Sequence, residues 1–170
     1  MTMTEIQQRP AASRQLDGVG NQYLTFLLAG EEYGVDILRV QEIKGWDRVT
    51  PIPNTNEYVL GVINLRGAVV PIIDLRLLFR MEKAEYTKTT VMMVLKVHCS
   101  TGERTMGFVV DAVSDVYSVS EDQLQPPPDL GRAQNANYVK SLATVEGKMV
   151  ILLDIDQLVD RSVEAVSAKN

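Results

Sequence analysis

The chain has 170 residues, 45% of them apolar, a net charge of −5, one cysteine and one histidine. That length buries a core without disulfide or metal staples, and the acidic balance argues against a nucleic-acid partner, whose backbone calls for a basic face. The single Cys99 excludes an internal disulfide framework and fits a reducing compartment, and no apolar run reaches the ~18 residues of a membrane-spanning helix.

In chain order, residues 1–20 are polar, lack an apolar stretch behind a basic start, and read as a flexible N-terminal tail, not a signal peptide. Residues 21–162 read as the folded domain and 163–170 as a C-terminal tail. Short Val- and Ile-rich runs broken by Gly, Pro and Asn predict strands. Tyr23–Ala29 is the first, Gly30-Glu31-Glu32 a turn, and Glu32–Asp36 the return. Ile37, Val40 and Ile43 recur every third residue and predict one or two helical turns, as does the matching Val110–Val116. Gly45–Val49 reads as a short strand and Pro51–Asn54 as a connector. Gly61–Leu65 and Ala68–Ile73 form a hairpin that turns at Arg66-Gly67. Ala68–Ile73 is apolar throughout, which predicts burial on both faces; Pro71 inside it predicts an edge position or a bulge. Asp74 caps a short helix, Leu75–Phe79, and Asp154 caps another, Ile155–Val159. Thr90–Val97 and Thr105–Val110 pair around Ser100–Glu103, Pro126–Pro128 is extended, and Leu130–Asn137 is a polar link.

The chain repeats itself. Tyr58–Phe79 aligns with Tyr138–Val159 at an offset of 80 without a gap, and Tyr33–Ile43 aligns with Met106–Val116 at an offset of 73. One supersecondary unit used twice predicts a mainly β protein of two small closed barrels packed together, with lobes at roughly 22–80 and 90–160 and short helices. The copies differ most at the hairpin tip, Asn64-Leu65-Arg66-Gly67 against Thr144-Val145-Glu146-Gly147.

Candidates for chemistry are sparse. His98 and Cys99 are adjacent on a strand and point to opposite faces, which separates a nucleophile from its base. No nucleophile elbow, zincin, phosphate-loop or dinucleotide fingerprint occurs, and the acidic residues are scattered over turns and caps, so no cofactor and no metal are expected. Met92, Met93, Met106 and Met149 read as core filling, and Trp46 as a barrel closure more than a stacking platform. Arg66 stands apart. At a rigid turn it has little entropy to lose and can fork onto a partner's carboxylate or carbonyl. These features favour a recognition role over catalysis, and a ligand- or nucleic-acid-binding β-barrel module is one form that role can take.

At EEYGVDILRVQEIKG (Glu31–Gly45), GVINLRGAVVPIIDLR (Gly61–Arg76) and VVDAVSDVYSV (Val109–Val119), the chain resembles the CheW-like family of bacterial chemotaxis coupling proteins. The resemblance implies two intertwined SH3-like five-stranded barrels without catalysis, linking the cytoplasmic tips of transmembrane chemoreceptors to the regulatory domain of the histidine kinase CheA. It implies a cytoplasmic protein that meets the membrane only through receptors. By position, Arg66 with Asn64, Leu65, Gly61 and Val62 matches the receptor-facing segment, and Ile37, Val40 and Glu42 match the kinase-facing one. Gln125, Asp129 and Leu130 match a second, ring-closing contact with the kinase.

Overall fold

A computed structural model describes residues 21–127 and 138–160. The first repeat runs β1 (Asn21–Leu28), β2 (Glu31–Asp36), a 3-10 turn (Ile37–Arg39), β3 (Val40–Gly45), β4 (Val59–Leu65), β5 (Ala68–Asp74) and helix α1 (Leu75–Leu78). The second runs β6 (Val91–Cys99), β7 (Gly102–Val110), β8 (Ala112–Val119), a 3-10 turn (Glu121–Gln123), β9 (Leu124–Gln125), β10 (Val139–Val145), β11 (Lys148–Leu153) and helix α2 (155–160). None of these helices is long and apolar enough to cross a membrane.

The strands form two curled sheets, ordered β8-β1-β2-β11-β10-β9 and β3-β6-β7-β5-β4. Five strands each were expected; the first sheet has a sixth because Leu124 and Gln125 add against Ala143 and Leu142. The repeats run consecutively in sequence, but the sheets do not follow them. Each sheet takes the leading hairpin of one repeat and the later strands of the other, joined by a parallel seam. At one seam Ile72 of β5 lies beside Gly107 of β7; at the other Leu152 of β11 lies beside Gly34 of β2. The glycines are needed there. A Cβ on Gly107 would sit 2.5 Å from Ile72 Cδ1, and one on Gly34 would sit 2.8 Å from Leu152 Cδ2.

Three apolar clusters fill this arrangement. The largest lies between the sheets and draws on both, with Phe26, Leu28 and Val35 from one and Met93, Leu95 and Phe108 from the other. The others fill the barrels: Tyr23, Val145, Val150 and Leu152 in the first, Val70, Ile72, Met92 and Val109 in the second. This explains why β6 shows no alternation: Met92 faces its own barrel, Met93 faces the other sheet, and both are buried. Met149 departs from the expected core role; it sits near the second hairpin tip and is half exposed.

The duplicated cap is repeated to the level of single hydrogen bonds. Asp74 N–H donates to Tyr58 O and its carboxylate accepts from Leu77 N–H; Asp154 N–H donates to Tyr138 O and its carboxylate accepts from Gln157 N–H. Asp74 is also the acceptor for the Tyr86 hydroxyl; burial, then this bond, raises the phenol's pKa.

Several sequence expectations need correction. Ile37, Val40 and Ile43 do not share a helix: Asp36 caps a single 3-10 turn, and from Val40 the chain pairs with β6 through a bulge before Glu42. Val110–Val116 makes no helical turn; after a bend at Asp111 it pairs with β1 as β8. Residues 46–49 are not a strand, because β3 ends where Trp46 N–H donates to Thr90 O. The first hairpin turns at Ala29-Gly30, and Glu31 and Glu32 already belong to β2. Ala68 and Val69 are exposed, so β5 is buried only beyond them. Pro71 is accommodated because Val62, its neighbour on β4, turns both backbone groups to Thr50, so the Pro71 nitrogen faces the β7 side. The β7 ladder starts one residue later, at Ile72, and no donor is missed there.

Two bidentate ion pairs bind the helices to the opposite repeat. Arg39 donates Nη1 and Nη2 to the two oxygens of Asp156, both at 2.8 Å, and Asp156 also accepts His98 N–H at 2.8 Å. Arg76 donates Nε and Nη2 to Asp111 at 2.8 and 2.7 Å, and Asp111 also accepts Ala29 N–H at 2.9 Å. The Arg76 fork holds the Asp111 carboxyl below its ordinary pKa. Burial pushes Asp156 up, but Arg39 and the His98 amide outweigh it and its pKa is lowered.

Candidate partner-binding surface

Strands β3 and β4 are the two edges of the five-stranded sheet, and the connector that follows β3 bonds back to β4. Thr50 and Val62 exchange backbone hydrogen bonds of 2.9 Å in each direction, and Arg66 Nη2 lies 2.8 Å from Glu42 Oε1. The sheet is therefore curled so that the connector bridges the gap between its edges, and the β4–β5 tip sits over β3. Arg66 and Gly67 take φ of 52° and 89°, the positive pair that a tight two-residue hairpin requires. Asn64 Oδ1 accepts Gly67 N–H at 3.0 Å and fixes the tip. Leu65 and Trp46 pack into the barrel cluster, with Trp46 tilted against Tyr86 at 4.2 Å between ring centres.

Arg66 is thus held at its base by the turn and touches Glu42 at its end, yet 75% of its side chain is exposed against 23% for Glu42. The Glu42 oxygen facing it is buried and accepts no aligned hydrogen bond, so the contact is a charge pair rather than a fork. Sequence reasoning assigned these two residues to different surfaces, and the fold places them in contact. Strand pairing decides that, and no local signal in either segment reveals it.

The other expected site residues divide by exposure. Asn64 is exposed, while Val62 and Leu65 are half-buried. Gly61 is buried: its φ is +146°, and a Cβ there would lie 2.0 Å from Thr50 O. It shapes the segment and presents no surface of its own. Ile37 and Val40 are half-buried against the inter-sheet core, whereas Leu38 between them is 86% exposed and Ile43 is 42% exposed. The outward apolar side chain of the 3-10 turn is Leu38, which a spacing of three from Ile37 overlooks. Val69 is also bare, opposite Asn64 across the hairpin. Gln125 is exposed on β9; Asp129 and Leu130 lie outside the described residues.

Reactive groups are dispersed. His98 is exposed with Nδ1 3.6 Å from Glu103, and Cys99 Sγ contacts Gly102 O at 3.0 Å. Among the described residues no three His, Cys, Asp or Glu side chains are grouped to hold a metal.

Comparison with known proteins places this geometry. The CheW-like domain family matches residues 22–163. A protein of Klebsiella aerogenes named chemotaxis protein CheW is 46% identical over 140 residues, 82% of each chain. One of the same name from Rhizobium meliloti is 38% identical over 147 residues, 86% of this chain and 92% of that one. Among solved structures, the scaffolding protein TtCheW from Thermoanaerobacter tengcongensis superposes with a TM-score of 0.73 at 32% identity, covering 82% of this chain and 92% of that one.

Proposed function

The chain belongs to the CheW-like domain family, and we propose on that premise that it is a non-enzymatic adaptor coupling chemoreceptor tips to a CheA-like histidine kinase. The observation that carries this reading is the contact between Arg66 and Glu42 at the closure of one barrel. It puts an outward guanidinium beside β3, which bears the exposed Ile43 and follows the turn that bears the exposed Leu38. An adaptor needs two neighbouring partner surfaces that are held rigidly relative to each other, and a closed barrel edge supplies them.

In this reading Arg66, Asn64 and Leu65 meet the receptor, on a segment shaped by Gly61 and Val62. The start of β3, with Ile37 and Val40 packed beneath it and Glu42 at its rim, meets the kinase regulatory domain. Gln125, with Asp129 and Leu130, makes a second kinase contact that closes a ring. The protein works in the cytoplasm at receptor arrays, where many copies raise the effect of modest single contacts. Co-sedimentation with receptor-containing membranes, with and without the kinase, tests both surfaces. The adaptor reading requires that this chain pellet with receptors alone and raise the amount of kinase that pellets; kinase recovery unchanged by its addition would overturn it.

A further inference from the structure

We infer that the two bidentate ion pairs, wired with opposite polarity, dictate which repeat pairs with which and bar this chain from exchanging hairpins with a second copy of itself. The two pairs occupy matching places. Arg76 and Asp156 correspond at the offset of 80, each two residues past its cap, Asp74 or Asp154. Arg39 and Asp111 both lie in the segment that follows a leading hairpin, before β3 and β8. Ala29 and His98 correspond as well. Each lies three residues beyond Phe26 or Leu95, which pair with the matching Tyr33 and Met106. At both places a carboxylate accepts one of these amides and a guanidinium forks onto that carboxylate.

The polarity is inverted between the two places. In one the segment after the hairpin supplies Arg39 and the helix supplies Asp156; in the other the segment supplies Asp111 and the helix supplies Arg76. Because the hairpins are exchanged between repeats, each pair joins the segment of one repeat to the helix of the other. This gives the charges a selecting role that a mere pair of ion pairs would lack.

The competing arrangement is geometrically close. Two chains could build one two-barrel unit from their first repeats and another from their second repeats, with residues 79–90 linking the units in each chain. The apolar interior offers little defence against this, since Ile72 matches Leu152 and Gly34 matches Gly107 at the two seams. The charges do discriminate. Like-with-like pairing would set Arg39 against Arg76 and Asp111 against Asp156, replacing two attractions by two repulsions at part-buried sites. A swapped assembly of this kind is the expected hazard for a chain whose repeats share one fold.

Reversing a single pair tests this. The variant R76D/D111R keeps opposite charges within each native pair but gives both places the same polarity, so like-with-like pairing becomes attractive. R39D/D156R does the same from the other side. The quadruple variant R39D/D156R/R76D/D111R restores opposite polarity. Each full-length protein is refolded from urea at high concentration, and its mass is measured by size exclusion with light scattering. Both double variants are expected to raise the dimer fraction about tenfold over the parent chain, and the quadruple variant to return it to the parent level. A dimer fraction in the doubles equal to the parent's, or one that stays high in the quadruple, overturns the inference. Should the reversed proteins fail to fold, R39Q/R76Q/D111N/D156N removes the charges while keeping an acceptor for each amide. It too must raise the dimer fraction, and a parent-level result there overturns the inference equally.

Discussion

Gly61→Ala separates a folding role from a binding role within the segment proposed to face the receptor. The backbone at Gly61 has φ +146°, a conformation that L residues adopt only under strain of roughly 1–3 kcal/mol. The added Cβ would also lie 2.0 Å from Thr50 O, 2.6 Å from its carbonyl carbon and 2.9 Å from Pro51 Cα. These are backbone atoms, so no side chain can swing aside. The Thr50–Val62 bridge must open, and its two hydrogen bonds are each worth ~1 kcal/mol. The expected loss is about 3–5 kcal/mol, a large share of the roughly 5–15 kcal/mol that holds a domain folded. Gly67→Ala is the control. Gly67 also has a positive φ, +89°, but nothing lies within 4 Å of its would-be Cβ, and about 1 kcal/mol is expected. Urea unfolding of both variants, followed by fluorescence of the single Trp46, reads the difference. Equal midpoints for the two variants, or a Gly61→Ala midpoint at the parent value, would refute the close-contact account.

Leu38→Glu changes stability by no more than about 0.5 kcal/mol, because the side chain is 86% exposed, yet it weakens kinase binding by at least tenfold in calorimetry if β3 is the kinase surface; Ile37→Glu, by contrast, loses about 1–3 kcal/mol of stability through its packing on the core. A double-mutant cycle on Arg66→Ala and Glu42→Gln by urea unfolding returns a coupling of only ~0.5 kcal/mol, since Arg66 is mostly in water; zero coupling would mean the pair does not persist in solution. Asp111→Asn lowers stability by about 1 kcal/mol at neutral pH. The Asp111 pKa is depressed below its ordinary 3.8 in the folded state, so its contribution is present above that pH and vanishes as pH falls through the folded value. The gap between parent and variant must therefore close in acid, and a gap independent of pH down to full protonation contradicts the assignment.

What the sequence made legible was local. Asp74 and Asp154 announced their helices because a cap is read within one turn, and Arg66-Gly67 announced its hairpin because the turn chemistry is self-contained. The exchange of hairpins was not legible from the residues themselves. Strand patterns say that a segment pairs without saying with which, and Gly34 and Gly107 mark close approach only once Leu152 and Ile72 stand beside them. The Arg66–Glu42 contact belongs to the same class: a hairpin tip reaches the far edge of its sheet through curling that neither segment encodes. The error at Ile37, Val40 and Ile43 had a different origin. A spacing of three is also what a 3-10 turn followed by a bulged strand produces, and the exposed Leu38 was hidden by it.

The pairing of β2 and β1 with strands distant along the chain also bears on how the chain reaches its native state. Tyr33 lies beside Ile151, and Asn21 pairs with Val119. During synthesis the β1–β2 hairpin therefore emerges long before the strands that flank it, and its apolar faces wait for β8 and β11. Contacts so distant along the chain slow folding. The first sheet cannot close on the ribosome until β11 is released, which makes this interval the period of greatest exposure to chaperones and to aggregation.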